Sequence, residues 1–166
     1  MALAGIIDWS EASWLGRVGR EVFWVFPAAE VVHFLGLCLL MGAMLVIDLR
    51  LLGLARRQLS IDAALSLLPV AIAGLALNLV SGIVFLCAQP DNYWPSTAFR
   101  WKLVAIVLAG ANALWFKFAE APRLVNISDD IDTDARVKLV AAISLFIWTA
   151  VIILGRFLPF VSRSTS

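Results

Sequence analysis

The chain has 166 residues, of which 62% are hydrophobic and 15% are charged. A soluble domain has about 45–50% apolar and about 25% charged residues. This composition therefore excludes a soluble globular domain, a disordered tail and a disulfide-rich scaffold. Thirteen basic and twelve acidic side chains nearly balance, which excludes a basic nucleic-acid-binding module. The mean hydropathy of +0.93 indicates an integral membrane protein.

The N-terminal segment, residues 1–21, is too polar to cross a bilayer. It mixes Ile6, Trp9 and Trp14 with Asp8 and Arg17. We predict a short amphipathic helix here that lies at the membrane interface. Because no basic stretch precedes a continuous apolar run, we expect no cleavable signal peptide.

Four apolar runs follow, each close to the roughly 20 residues that cross a bilayer as a helix. Backbone polar groups find no water in hydrocarbon, so these runs must be helical. Short connections make neighbouring helices antiparallel. The sequence predicts an all-α, integral membrane four-helix up-down bundle over residues 22–161 and a tail at 162–166. The predicted helices cover about 22–47, 63–88, 99–118 and 137–161.

The basic residues around the first helix predict the orientation of the bundle. Arg17 and Arg20 precede this helix, whereas Arg50, Arg56 and Arg57 follow it. The positive-inside rule then places both termini outside the cytoplasm. We expect the membrane to be a bacterial inner membrane.

The first helix carries the candidate ligand-binding residues. Ionisable side chains inside a membrane are costly, so each one is a functional hypothesis. At 100° per residue, the ionisable and sulfur-bearing side chains of this helix share a stripe less than a quarter of the circumference wide. The stripe contains Glu30, His33, Met41, Met44 and Asp48, and Cys38 lies beside it.

Three interpretations of this stripe compete. Imidazole, thioether and thiolate groups suit Cu(I), so the stripe is a candidate path for a copper-like metal ion. Alternatively, His33 is an axial ligand of haem b, although a single histidine cannot give bis-histidine ligation within one chain. In the third interpretation, His33 forms a hydrogen bond to Glu30 or to a neighbouring helix, and the methionines fill the core.

Most charged residues fall in predicted loops or at helix ends, but Glu30 lies within the first predicted span. It lies about 12 Å along the helix axis from Val22, at 1.5 Å per residue. A carboxylate at this depth needs a cation or a proton. Lys102 and Arg156 belong to the same membrane side, and we predict a Glu30–His33–Arg156 cluster near the outer mouth of the bundle.

Polar and small residues on the other helices suggest close packing or a polar cavity. Gly74, Asn78 and Gly82 are spaced by four residues, which lets helices approach closely and lets an amide form a bond across them. Asn78 and Asn112 either hold helices together or line a cavity with His33. The candidate ion-pair or cavity-lining residues are Arg156, Lys102, Asn78, Asn112, Asp48 and Arg50.

No catalytic signature of a soluble enzyme is present. The sequence has no Gly-rich phosphate loop, nucleophile elbow or paired-cysteine metal motif. We therefore assign no catalytic residues and predict a non-enzymatic protein, with a membrane redox protein as the enzymatic alternative.

Three segments carry a family resemblance: WVFPAAEVVHFLGLCLLMGAMLVIDLRLLG, FRWKLVAIVLAGANALWF and SLFIWTAVIILGRFLPF. With them the chain, from about Trp24 to Phe160, resembles a bacterial four-helix membrane family of unknown function. More distantly, the first helix is similar to the membrane part of CopD-type copper-resistance proteins and to small b-type cytochromes. That similarity implies copper handling or haem redox chemistry. The chain departs from the cytochrome pattern because it lacks a second membrane histidine.

Three functional hypotheses result. The first is a membrane protein that binds or moves a metal ion or small ligand at a site around His33. The second is a haem- or quinone-linked electron-transfer protein. The third is an accessory subunit without a ligand that assembles through the Gly74–Gly82 face. The expected partners are the lipid bilayer and either a second copy or a partner membrane subunit, with no nucleic acid.

Overall fold

A computed structural model of the protein describes residues 2–54, 56–124 and 133–161. Every regular element among these residues is helical, which confirms the all-α prediction. The predicted tail at 162–166 lies outside the described residues. In chain order the elements are α1 (Ala2–Ala12), α2 (Trp14–Glu21), α3 (Val25–Leu51), α4 (Ile61–Leu65), α5 (Leu68–Ala88), α6 (Pro90–Tyr93), α7 (Thr97–Trp115), a π-helical turn (Phe116–Glu120), α8 (Ala121–Leu124) and α9 (Ala135–Val161).

Four stretches of the described chain are long and apolar enough to cross a membrane. They are Val25–Leu51, Ile61–Ala88, Thr97–Leu124 and Ala135–Leu158. Large apolar side chains cover their outer faces. Because water would solvate such faces poorly whereas lipid chains solvate them well, the protein is a membrane protein with the predicted four-helix architecture.

The first spanning helix extends further than predicted, which brings Asp48 and Arg50 into its last turns. It ends in a Schellman motif: the amide of Gly53 donates to the Arg50 carbonyl at 3.0 Å, and that of Leu54 donates to the Leu49 carbonyl at 3.1 Å. Gly53 has φ 86°, the left-handed conformation that glycine adopts at helix ends. The local turn chemistry, and not hydropathy, sets this boundary.

The second and third spans are less regular than predicted. Pro69 lies in the first turn of α5, just after a break that separates this helix from α4. Pro122 follows the π-helical turn that continues α7. Proline has no amide hydrogen to donate to the preceding turn, so each irregularity lies where an α-helical hydrogen bond is unavailable.

The N-terminal segment forms two helices where one was predicted. The side chain of Ser13 caps α2 by accepting a hydrogen bond from the Gly16 amide at 3.0 Å. Gly16 and Gly19 are buried, and a Cβ on Gly19 would lie 2.9 Å from the Cβ of Ala88. Helix α2 therefore packs closely against the end of α5.

The long helices pack as antiparallel neighbours. His33 of α3 contacts Ser81 of α5, and the backbone of Leu40 lies against Gly74. The two helices therefore run in opposite directions. Along α7 and α9, the Asn112 side chain donates to the Val140 carbonyl at 3.2 Å. These pairs define the up-down bundle, and α3 also packs against α9.

Asp48, Arg50 and Thr133 form a polar group at the end of the bundle away from the termini. Arg50 is fully buried, and its Nε donates to the Leu59 carbonyl. Asp48 is buried and accepts a hydrogen bond from Ser144 of α9. The hydroxyl of Thr133 donates to the Leu51 carbonyl. These hydrogen bonds connect the end of α3 to the following loop, to α9 and to the residues just before α9.

Candidate functional site: the His33 cavity

A cavity of about 480 Å³ lies between α3, α5, α7 and α9. We call it the His33 cavity. Most of its lining is apolar, and its polar side chains come from one residue on each of the four helices. These residues are His33 on α3, Asn78 on α5, Lys102 on α7 and Arg156 on α9.

The polar and apolar parts of the His33 cavity lie at different depths. On α9, Arg156 lies eight positions beyond Trp148, which corresponds to about 12 Å along the axis. On α3, His33 precedes Leu40 by seven positions, or about 10 Å. Lys102 lies beside Gly155, level with Arg156. Lys102 and Arg156 therefore lie at the end of the cavity nearest the start of α3 and the end of α9, which we call its terminal end. Leu40 and Trp148 line the opposite, inner end.

His33 is half-buried and held in a defined orientation. Its Nδ1 lies 2.8 Å from the Ser81 hydroxyl oxygen. The Ser81 hydroxyl in turn lies 2.6 Å from the Leu77 carbonyl, to which it donates its only hydrogen. When the Ser81 hydrogen is directed to Leu77, the hydroxyl oxygen accepts from Nδ1–H, and in that tautomer of the neutral ring Nε2 keeps its lone pair. The Phe85 ring, 5.2 Å away between centroids, packs against the imidazole.

Lys102 is the charged side chain most closely associated with the cavity. It is half-buried on α7, five positions after the helix begins at Thr97. A Cβ on Gly155 would lie 3.4 Å from the Lys102 Nζ. The glycine therefore leaves space on α9 that the lysine side chain occupies.

Asn78 contributes to helix packing as well as to the cavity wall. Its Nδ2 donates to the Gly74 carbonyl one turn earlier at 2.9 Å. The same nitrogen would lie 2.8 Å from a Cβ on Gly36 of α3. Asn78 thus lies in the cavity wall at the crossing of α3 and α5, but its amide forms its hydrogen bond within α5 and not across the two helices as predicted.

The other members of the predicted stripe do not reach the His33 cavity. Met41 and Met44 are partly buried and pack against the core formed by α3, α5, α7 and α9. Cys38 is exposed on the outside of the bundle. Among the described residues, no group of three or more histidine, cysteine, aspartate or glutamate side chains is placed to hold a metal ion.

Glu30 is exposed and does not line the cavity. The predicted Glu30–His33–Arg156 cluster is therefore only partly assembled, because His33 and Arg156 share the cavity without the carboxylate. Burial, together with the negative charge of Glu30, raises the pKa of the Tyr93 phenol.

The remaining candidates belong to other contacts. Asp48 and Arg50 lie in the polar group at the opposite end of α3, and Asn112 joins α7 to α9. Conversely, sequence reasoning assigned no site role to Ser81, which orients His33, or to Trp148, which lines the cavity. The small-residue face of α5 was the available signal for Ser81, because it marked where α3 would approach.

The fold and the site together define an integral membrane four-helix protein whose internal cavity is mainly apolar and has a few polar groups in its wall. Residues 6–161 match the family of unknown function DUF6644, and the chain belongs to that family. The comparison with curated proteins found no match, and neither did the comparison with solved structures. The distant similarity to CopD-type proteins and b-type cytochromes stays a prediction.

Proposed function

We propose that this protein binds a small, mainly apolar ligand in the His33 cavity. The observation that carries the proposal is a cavity of about 480 Å³ with a mainly apolar wall and four polar side chains, of which the two cations lie at one end. Ligand sites typically enclose about 300–1,000 Å³ and combine an apolar wall with a few polar groups that fix orientation. The His33 cavity has this composition and size.

His33 is the residue best placed to orient the ligand. Because Ser81 fixes Nδ1, the ring cannot rotate freely, and Nε2 is the nitrogen with an unshared lone pair. In this tautomer Nε2 accepts a hydrogen bond from a donor such as a quinol hydroxyl, which supports quinone-linked electron transfer as a second candidate function.

Metal transport and haem binding receive less support. A soft-metal path needs sulfur ligands in sequence along one open route, but Met41 and Met44 pack in the core and Cys38 faces outwards. His33 is the only histidine of the chain. Copper handling and haem b ligation stay predictions.

Native mass spectrometry of the protein extracted from its own membrane in a mild detergent tests the proposal. We expect one organic molecule per chain to stay bound under conditions that remove loosely attached lipids. An absorption spectrum and a metal analysis of the same sample separate the alternatives. A bare polypeptide mass would contradict ligand binding. A Soret band lost in His33→Ala, or stoichiometric copper, would replace the proposal with haem or metal chemistry.

We also propose that the protein resides in a bacterial inner membrane with both termini outside the cytoplasm. Two arginines precede the first span and three follow it, as the positive-inside rule requires for this orientation. Trp9, Trp14, Trp24 and Trp101 are exposed near the terminal side, where an interfacial belt would lie. Whether a second copy or a partner subunit covers part of the apolar surface stays a prediction.

Reporter fusions after Ser166 test this orientation. Alkaline phosphatase is active only outside the cytoplasm, whereas green fluorescent protein exported in unfolded form stays dark. We expect an active phosphatase fusion and a dark fluorescent fusion. The reverse pattern would place the termini in the cytoplasm.

A further inference from the structure

Two cationic side chains, Lys102 and Arg156, line the His33 cavity, and none of the described residues in its wall is acidic. A charged side chain within a membrane is costly unless it reaches the interface or meets an opposite charge. The described cavity wall supplies no opposite charge to Lys102, so a ligand that brings one would be favoured beside it.

Of the two cations, Lys102 is the better candidate to bind an anionic group. Within the described ranges it makes no ion pair or hydrogen bond. Its half-buried side chain lies against Gly155 in the cavity wall. An anionic group at the terminal end of the cavity would gain a charge-assisted hydrogen bond from this ammonium.

Glu30 does not take this place. It is exposed on α3, is absent from the cavity wall and interacts with Tyr93. The predicted counter-charge is thus absent from the cavity wall, and the Lys102 site remains accessible to an anion.

The inner end of the cavity defines the rest of the ligand. Leu40, Leu75, Ile106 and Trp148 line it with apolar surface. The polar and apolar ends are about 10 Å apart along the helices. One apolar chain attached to a polar head matches this arrangement, whereas a molecule that is polar throughout would leave its inner part without partners.

We infer that the ligand of the His33 cavity is an amphiphile with an anionic head group bound by Lys102, beside Arg156, and an acyl chain directed towards Trp148. This inference rests on the proposed ligand-binding function and adds the chemical class of the ligand. The same chemistry occurs in a free fatty acid and in an anionic phospholipid that inserts one chain.

The test compares dodecanoic acid with dodecanol, which differ in the head group alone, and adds phosphatidylglycerol as an anionic lipid. The full-length protein is exchanged into neutral phosphatidylcholine nanodiscs, and native mass spectrometry measures binding of dodecanoic acid, dodecanol and phosphatidylglycerol at a pH that ionises the acid. We expect the acid to bind at least about tenfold more tightly than the alcohol, which corresponds to one hydrogen bond to a charged group. If acid and alcohol bind equally, the inference is overturned while the proposed function stands. If no probe binds, the proposed function fails as well.

Variants of Lys102 test whether this lysine binds the anionic head group. Lys102→Met should remove the preference for the acid, and Lys102→Arg should keep it. Lys117→Met is the matched control, because Lys117 is exposed at the other end of the same span, where its Nζ lies 5.6 Å from the centroid of the Phe118 ring. A preference that survives Lys102→Met in a folded protein contradicts the inference.

The two anionic probes distinguish the source of the ligand. If dodecanoic acid binds and phosphatidylglycerol does not, the ligand is a free fatty acid. If phosphatidylglycerol binds with the same dependence on Lys102, the ligand is a bilayer lipid. Both results support an anionic amphiphile, and the comparison of probes on the unmodified chain does not depend on how any variant folds.

Discussion

Gly74→Ala is expected to destabilise the bundle by about 1–3 kcal/mol, the usual cost of overpacking a tight interface. A Cβ at this position would lie 2.5 Å from the Leu40 amide nitrogen and 2.6 Å from the Gly36 carbonyl oxygen. Both are backbone atoms of α3, so no side-chain rotation can make room. The two helices would have to separate at their crossing, and the effect should be visible as a lower midpoint in detergent unfolding followed by circular dichroism.

Gly42→Ala is the matched control for this prediction. Gly42 lies on α3, is exposed, and a Cβ there would meet no atom within 4 Å. Alanine favours a helix over glycine by about 1 kcal/mol, so this variant should unfold at the same or a higher detergent concentration. The same substitution should therefore have opposite signs at the two positions. If Gly74→Ala is as stable as Gly42→Ala, α3 and α5 do not cross as described.

Gly82→Leu is expected to abolish ligand binding and leave the fold intact. Gly82 belongs to the wall of the His33 cavity, and a Cβ there would meet nothing within 4 Å. A leucine side chain has open space to enter, and that space is the volume that we assign to the ligand. Because the substitution adds apolar surface inside an apolar cavity, it should not lower the unfolding midpoint. Binding is measured by native mass spectrometry, as for the unmodified chain.

Gly110→Leu controls for the added leucine. Gly110 is exposed on α7, away from the cavity wall, and it also has no atom within 4 Å of a Cβ. This variant places the same side chain on the outer surface of the bundle. The Gly110→Leu variant should keep the bound ligand. Loss of the ligand from this variant would indicate a general effect of the added leucine on the protein and not a filled cavity.

The four spans follow from sequence because the bilayer imposes a simple requirement. About 20 apolar residues must be helical to cross it, and the described helices satisfy that requirement near the predicted positions. The ends of the helices depend on other physics. The end of α3 follows from the left-handed conformation of Gly53, and the start of α5 follows the break before Pro69. Hydropathy contains neither signal.

The candidate site was only partly predictable, because helical periodicity shows which residues share a face but not which neighbour covers that face. The stripe on α3 meets different surroundings along its length. His33 lies against Ser81 of α5, Met44 packs in the core, and Asp48 accepts a hydrogen bond from Ser144 of α9. Glu30 belongs to the same stripe but remains exposed.

Cross-helix partners depend on packing that no single-helix pattern contains. Asn78 and Ser81 approach His33 because Gly36 and Gly74 bring α3 and α5 together. Lys102 reaches the cavity because Gly155 leaves space for it. Sequence reasoning singled out His33, Asn78 and Lys102, but their assembly into one cavity required the helix crossings.

The measurement that tests the ligand-binding account most directly is the bound mass on Gly82→Leu and Gly110→Leu, extracted side by side from the same membrane. The account predicts one bound organic molecule on Gly110→Leu and on the unmodified chain, and none on Gly82→Leu, with similar unfolding midpoints for all three proteins. A Gly82→Leu protein that keeps the same bound molecule would contradict the account, because the ligand would then lie somewhere other than the His33 cavity.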